Sequence, residues 1–411
     1  MGRLQSTDPW RLVSVVSLVL LLLYAVFLAA AARFGLWIIG PQGLVPLDFS
    51  EFWAAGRLAA TGKAASAYSW PSLRALLQHH SGADFTHAHL PFYYPPMLLL
   101  PLSLVMAAPP FVAALIWIGG GAIAYLGAVW AICRRPVLVL AAAAAPAALL
   151  TVCIGQNGLL SAALLGGGLA LLDRRPVVAG LLIGALAYKP QFGLLLPLVL
   201  VATGRWRVIL SAAATVLVLV AASGLIFGWG VFAAFLQATR MTHGQIPALV
   251  DLAAFKLQSV YGLARVLGAP TALAWGAQLL AALGGAGFTL ALWRSPRGLP
   301  LKAAALAASV LLVSPYSAVY DLTLPVIAIA FLLADPTQPP GRVGLAVLAG
   351  AYAAPMIFPF LAMPLGPFIC LAILTVTAQR WRSTSRAPAA SASPVDKSDG
   401  TAAARGVRQT A

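Results

Sequence analysis

Charge is what this sequence has least of. Only 9% of its 411 residues are charged, and just ten of them are Asp or Glu. A soluble domain carries about a quarter charged residues, so no water-facing globular surface can be built from this chain. Cysteine is scarce too. Cys133, Cys153 and Cys370 each lie in or at the edge of an apolar run, with no metal-ligand spacing between them, and they read as small packing residues. Nor is there a glycine-rich phosphate loop following a strand, which argues against a nucleotide-sugar site.

What is present is apolar. Hydrophobic residues make up 61% of the chain. Lipid is the solvent that suits such outward faces, and in lipid the backbone must satisfy itself as helices or as a closed barrel. The runs are too long and too uniform for the alternating pattern of barrel strands. The expected fold is therefore all-α, a polytopic transmembrane helix bundle of about 11–13 membrane segments, the first at 12–32 and the last at 365–377. Several segments fall short of the roughly 20 residues of a full span and are expected to be half-helices lining a cavity. The run at 12–32 lacks a small-residue cleavage site and reads as the first membrane helix, not as a cleaved signal. Residues 1–382 are expected to form one transmembrane domain with two long outer loops, about 33–94 and 228–270. Residues 383–411, rich in Ala, Ser, Pro and Arg, read as a disordered cytoplasmic tail.

The net charge of +16 would suggest nucleic acid on a soluble chain. Here the arginines occupy short loops between apolar runs: Arg134 and Arg135, Arg174 and Arg175, Arg205 and Arg207, Arg294 and Arg297, Arg380 and Arg382. That is the pattern of cytoplasmic anchoring, and no nucleic-acid partner is expected. With Arg3 and Arg11 inside, both long loops fall outside. One conflict remains: if every segment from 95 to 172 is a full span, Arg134 and Arg135 land outside, so one segment there is expected to be re-entrant or two to be fused.

A polar side chain within so apolar a bundle is costly and is a functional candidate by default. With carboxylates in tails and basic loops set aside, Asp48, Glu51, Asp84, Asp251 and Asp321 remain. Asp48 lies soon after the first membrane helix, in Pro46-Leu47-Asp48-Phe49-Ser50-Glu51. A carboxylate at a membrane boundary can act as general base on a sugar hydroxyl. The same pattern, Asp followed three residues on by Glu, is capping-box-like; locally the cap is the favoured reading, and the two roles are compatible. His87 and His89 are spaced for a metal but lack a third ligand type nearby, and solvated loop histidines are the plainer reading.

The Leu90–Pro96 stretch, with Tyr94, suits an aromatic-anchored helix start. Gly155-Gln156-Asn157-Gly158 reads as a tight turn or as amides lining a polar cavity. Lys189, beside Pro190 in an apolar stretch, needs an anion or a path to the interface; its functional reading is a ligand for a lipid phosphate. Tyr320 and Asp321, after Ser314-Pro315, mark another boundary, where Asp321 reads as a second candidate or an N-cap.

In their order along the chain these parts resemble glycosyltransferase family 87, bacterial mannosyltransferase-like proteins of the GT-C fold that depend on polyprenyl-phosphate mannose. The resemblance rests on Asp48 with 49–62, the Phe92–Pro96 stretch, 155–157, 179–190 with Lys189, the Arg205–Arg207 loop, 258–268 and 314–322. The chain departs from the family in having Tyr320 and Asp321 where a histidine pair is common.

The resemblance implies an inverting transfer of mannose or a similar hexose from a polyprenyl-phosphate donor to a lipid or glycan acceptor, on the outer face of the plasma membrane. It makes Asp48 the base. Glu51, Arg57, Tyr94, Gln156, Asn157, Lys189, Tyr320 and Asp321 are the expected substrate-binding residues, with Lys189 or Arg57 balancing the donor phosphate. No cofactor is expected, and the sequence leaves a divalent cation open. A transporter or flippase of lipid-linked saccharides, a cell-surface glycan polymerase or ligase, and a non-catalytic scaffold are the competing readings.

Overall fold

The computed structural model describes residues 9–30, 37–40, 43–81, 90–335 and 339–384, with the backbone course alone for 9, 37–40, 43–46, 81, 242–254 and 384. Asp84, His87, His89, the Asp251 side chain and the tail beyond Thr384 lie outside that description.

The protein is an all-α polytopic membrane bundle, as its apolar runs require. Among the described residues five helices are long and apolar enough to cross a membrane: α1 (Pro9–Ala30), α5 (Pro110–Cys133), α11 (Trp206–Phe227), α14 (Thr271–Arg294) and the run from α17 (Arg342–Ala353) to α18 (Phe358–Leu361). The pair α6 (Pro136–Ala143) and α7 (Pro146–Ile154), bent by 46°, is long and apolar enough to make a sixth when taken as one span. The shorter apolar elements include α8 (Gly158–Leu171), α9 (Pro176–Ala185), α10 (Leu195–Ala202), α15 (Leu299–Val313) and α16 (Thr323–Ala334), and α19 (Gly366–Thr384) closes the bundle. Proline opens α5, α6, α7 and α9, at the position where its missing N–H costs nothing. The exposed Leu12, Leu22, Leu217, Leu225 and Leu280 face the lipid.

The conflict over Arg134 and Arg135 resolves in the segment before α5. The run at 95–107 is a 3₁₀ turn followed by α4 (Leu99–Val105), only seven residues. At about 1.5 Å per residue it reaches far less than the roughly 30 Å of a hydrocarbon core, so it is too short to cross by itself. It packs along α2 (Phe49–Ala60), where Arg57 Nη1 donates to the Ala107 carbonyl at 2.8 Å. Arg134 and Arg135 then fall on the face of the other arginines, and Arg135 lies over the Trp10 ring at the start of α1. The same face is knitted together by Arg205 with Asp173 (2.6 Å), Arg297 with the Trp381 carbonyl (3.0 Å) and Arg380 with Asp335 (3.2 Å).

The opposite face carries what lies between the spans. After α1 comes a short antiparallel hairpin, β1 (Trp37–Gly40) and β2 (Gly43–Pro46), then α2 and α3 (Trp70–Ser81). The 228–270 stretch, read from sequence as a loop, is largely helical: α12 (Gly230–Ala253) and α13 (Val260–Val266). Gln258 pins it down. Its Oε1 accepts from the N–H groups of Leu365 (2.8 Å) and Gly366 (3.1 Å), and its own N–H donates to the Ser317 carbonyl at 2.7 Å.

Candidate active site

The site forms where interruptions in the helices meet. The first is the turn between α7 and α8. Gly155 takes a left-handed conformation (φ 74°), which glycine adopts without a steric penalty. The turn that the sequence suggested is therefore real. Gly158 is needed for a second reason: a Cβ there would collide with the Tyr320 carbonyl. The turn docks on 319–323, with Thr323 Oγ1 donating to the Gly158 carbonyl at 2.9 Å.

That docking turns Gln156 towards α2. Its Nε2 donates to Asp48 Oδ2 at 3.4 Å and to Glu51 Oε1 at 3.1 Å, while its Oε1 accepts from the Tyr94 hydroxyl at 3.2 Å. One amide thus uses both of its N–H groups on two carboxylates. The capping box read from sequence is not formed: Asp48 occupies the N-cap position of α2 in αR geometry, without a side-chain cap, and its carboxylate is left for Gln156. Glu51, the chain's single glutamate, is buried, whereas Asp48 keeps partial contact with solvent.

Burial governs the protonation of this pair. It raises the Asp48 carboxyl above its ordinary value, against the Gln156 hydrogen bond and the charge of Lys256, which both lower it. Glu51 is pushed up much further, first by burial and then by the charge of Asp48, with Gln156 and Lys189 opposing. Two neighbouring carboxyls with unequal burial differ in character: Glu51 is the one burial drives further towards its neutral form, and Asp48 is the one within reach of solvent.

Beside them lies the second group. Lys189 Nζ pairs with Asp321 Oδ1 at 2.6 Å, each side chain only 2% exposed, and stands 4.6 Å from the centre of the Tyr320 ring. The other Asp321 oxygen accepts the Ala318 N–H at 2.9 Å. The counter-charge that Lys189 requires is thus supplied within the protein. Asn157 is the reverse case. It is 2% exposed, and neither its Nδ2 nor its Oδ1 meets a partner among the described residues, an arrangement that costs stability unless a ligand completes it. Phe52 and Phe92 wall the site beside Tyr94, with ring centres 5.3 and 5.5 Å from it.

The structure therefore gathers Asp48, Glu51, Tyr94, Gln156, Asn157, Lys189, Tyr320 and Asp321. It does not bring Arg57 to them. Nine residues separate Arg57 from Asp48, about two and a half helical turns, so it points to the opposite side of α2 and is spent on Ala107. Sequence reasoning missed Lys256, an exposed residue after α12 whose charge reaches Asp48. Its signal was a lysine on the face that lacks the arginine loops. It also missed Tyr188 and Ser161, whose hydroxyls lie 2.8 Å apart in the core behind Asn157. Among the described residues no three His, Cys, Asp or Glu side chains converge as a metal set.

No curated protein and no solved structure matches the chain. The family model of glycosyltransferase family 87 matches residues 92–315. That span holds Tyr94, Gln156, Asn157, Lys189 and Lys256; Asp48 and Glu51 lie before it and reach it through Gln156. Since more than half of the sequence is matched, the protein belongs to glycosyltransferase family 87 and is a membrane glycosyltransferase.

Proposed function

We propose that the protein moves a hexose, mannose or a close relative, from a polyprenyl-phosphate donor to a lipid or glycan acceptor, with inversion at the anomeric carbon, and that Asp48 is the base. One observation carries this reading: Asp48 is a partly accessible carboxylate at the rim of a buried polar cluster, free of any capping duty and aimed by Gln156. In the reaction the acceptor hydroxyl attacks the anomeric carbon and passes its proton to Asp48. The bond from that carbon to the phosphate oxygen breaks, and polyprenyl phosphate departs. A base of raised pKa takes that proton more readily than an ordinary carboxylate.

The remaining groups fit the two substrates. The open amide of Asn157 suits sugar hydroxyls, which both donate and accept. The donor phosphate needs a cation, and Lys256 is better placed than Lys189, because the charge of Lys189 is answered by Asp321. A prenyl tail suits the apolar surface of the short helices. The positive-inside rule sets the arginine face in the cytoplasm, so Asp48 faces the exterior of the plasma membrane.

The test is transfer from a panel of polyprenyl-phosphate sugars in proteoliposomes. Asp48→Asn is expected to lower the rate by about 10²–10⁴-fold, the usual worth of a general base, with thermal stability little changed. Activity equal to wild type in that variant would remove Asp48 from the chemistry.

A further inference from the structure

The arginine face contains a cavity that the transfer reaction does not use. Its volume is about 470 Å³, and Asp173, Pro176, Arg205, Trp206 and Arg207 are among its lining residues. It sits between the turn that joins α8 to α9 and the turn that joins α10 to α11. The packing of α9 on α11 creates it. A Cβ at Gly180 would collide with Ser211, and one at Gly184 would stand 2.6 Å from the Thr215 Cβ. Contact at two glycines four residues apart lets helix backbones approach closely. Gly180 faces Ser211 and Gly184 faces Thr215, so the two helices run parallel and start side by side.

The chemistry of the lining is that of a phosphodiester site. Arg205 and Arg207 line it, and the exposed Arg174 and Arg175 stand at its edge. Asp173 alone opposes them, already paired with Arg205 at 2.6 Å. The Arg205 guanidinium lies 5.7 Å from the Trp293 ring centre, and its Nε is buried without a partner among the described residues. A guanidinium fork matches two phosphate oxygens at once.

The surroundings define which phosphodiester. Trp206 is 58% exposed, and the helices beyond it show Val177, Leu181, Leu210 and Leu217 outward. An exposed Trp beside arginines marks the level of the lipid headgroups, and apolar ridges running away from it suit acyl chains. We propose that this cavity binds the headgroup of an anionic phospholipid of the surrounding leaflet, anchoring the α9–α11 pair.

The experiment is native mass spectrometry of the detergent-purified protein, titrated with phosphatidylglycerol or phosphatidylcholine. Wild type is expected to retain phosphatidylglycerol at least about fivefold more strongly, and Arg207→Gln and Arg205→Gln to lose about fivefold each, the usual worth of one basic residue near an anionic headgroup. Arg342→Gln, on the same face but away from the cavity, is expected to change nothing. Equal retention of the two lipids would overturn the site. So would an unchanged Arg207→Gln, which breaks no ion pair and should leave the fold intact, or an equal loss in Arg342→Gln, which would mean diffuse surface attraction only. Displacement of the lipid by millimolar inorganic phosphate would overturn a lipid as the occupant. The readout involves no sugar transfer, so its outcome is separate from that of the proposed reaction.

Discussion

Replacing Lys189 with Met leaves the Asp321 carboxylate 2% exposed with no counter-ion. At 2.6 Å the attraction of the pair is about 6 kcal/mol at an effective dielectric of about 20, and the desolvation of two ions consumes most of that gain. The pair is therefore nearly neutral as a unit, while the loss of one member costs about 3–5 kcal/mol, a large share of the roughly 5–15 kcal/mol that holds a protein folded. Asp321→Asn should remedy this, because Asn removes the stranded charge yet still accepts the Ala318 N–H now bonded at 2.9 Å. The expectation is a severely destabilised Lys189→Met and a Lys189→Met/Asp321→Asn variant within about 1–2 kcal/mol of wild type, so that the second substitution recovers about 1–4 kcal/mol of what the first loses. Unfolding in detergent, followed by the fluorescence of the eleven tryptophans, measures it. A Lys189→Met protein as stable as wild type, or no recovery in the double variant, refutes the structural reading of the pair. Donor KM in the double variant then decides the phosphate: an unchanged KM removes Lys189 from donor binding, and a rise of tenfold or more restores it.

Gln156→Leu keeps the volume but strips both carboxylates of their shared donor. It should cost about 1–3 kcal/mol and depress kcat more than KM; an unaltered kcat would mean that the amide does not position Asp48. The acid limb of the kcat/KM profile should lie above the ordinary aspartate value of about 3.9, since burial raises Asp48 and the base must be ionised. Lys256→Gln should move that limb higher still, because the lysine charge lowers the Asp48 pKa; a downward move would contradict the placement of Lys256. Single cysteines at Lys63 and Arg174, both exposed and on opposite faces, should react with an impermeant thiol reagent from opposite sides of the membrane, Lys63 from outside. Labelling of both from one side would break the topology.

The membrane architecture was legible because the solvent dictates it: runs of apolar residues, with paired arginines in the short loops between them, leave little choice. The conflict over Arg134 was legible as a conflict, but its cause was not. Whether 95–107 crosses or returns depends on α4 being seven residues long and held by Arg57, a tertiary fact. Most of the site could be named in advance, since a polar residue in an apolar run is conspicuous. Its wiring could not. Lys189 and Asp321 are 132 positions apart and Gln156 and Glu51 are 105 apart, and no local pattern pairs them. Arg57 misled for the opposite reason: it is near Asp48 in sequence, and helical geometry turns it away. Asp48 reads locally as a cap, and only the conformation at the helix start shows that its side chain does not serve as one.

The site lies where it does because broken helices create polar backbone that must be satisfied. The interruptions at 155–157, at Lys189-Pro190 and at 314–321 each release N–H and C=O groups inside the bundle, and such groups are tolerated there only against protein or a polar cavity. They are used on one another: the Gly158 carbonyl accepts from Thr323 (2.9 Å), the Tyr320 carbonyl from Thr151 (3.3 Å), and Asp321 reaches back to the Ala318 N–H (2.9 Å). The breaks at 155–157 and 314–321 interlock in this way, and the Lys189–Asp321 pair ties the third to them, which holds Gln156, Lys189 and Asp321 in one cluster beside α2. A continuous helix at any one of the three would remove the anchor of the other two. Pro190 and Gly158 are therefore as much a part of the site as the carboxylates, and Gly158→Ala, which drives a methyl into the Tyr320 carbonyl and within 3.2 Å of the Thr151 hydroxyl, should disable transfer without replacing a single polar side chain.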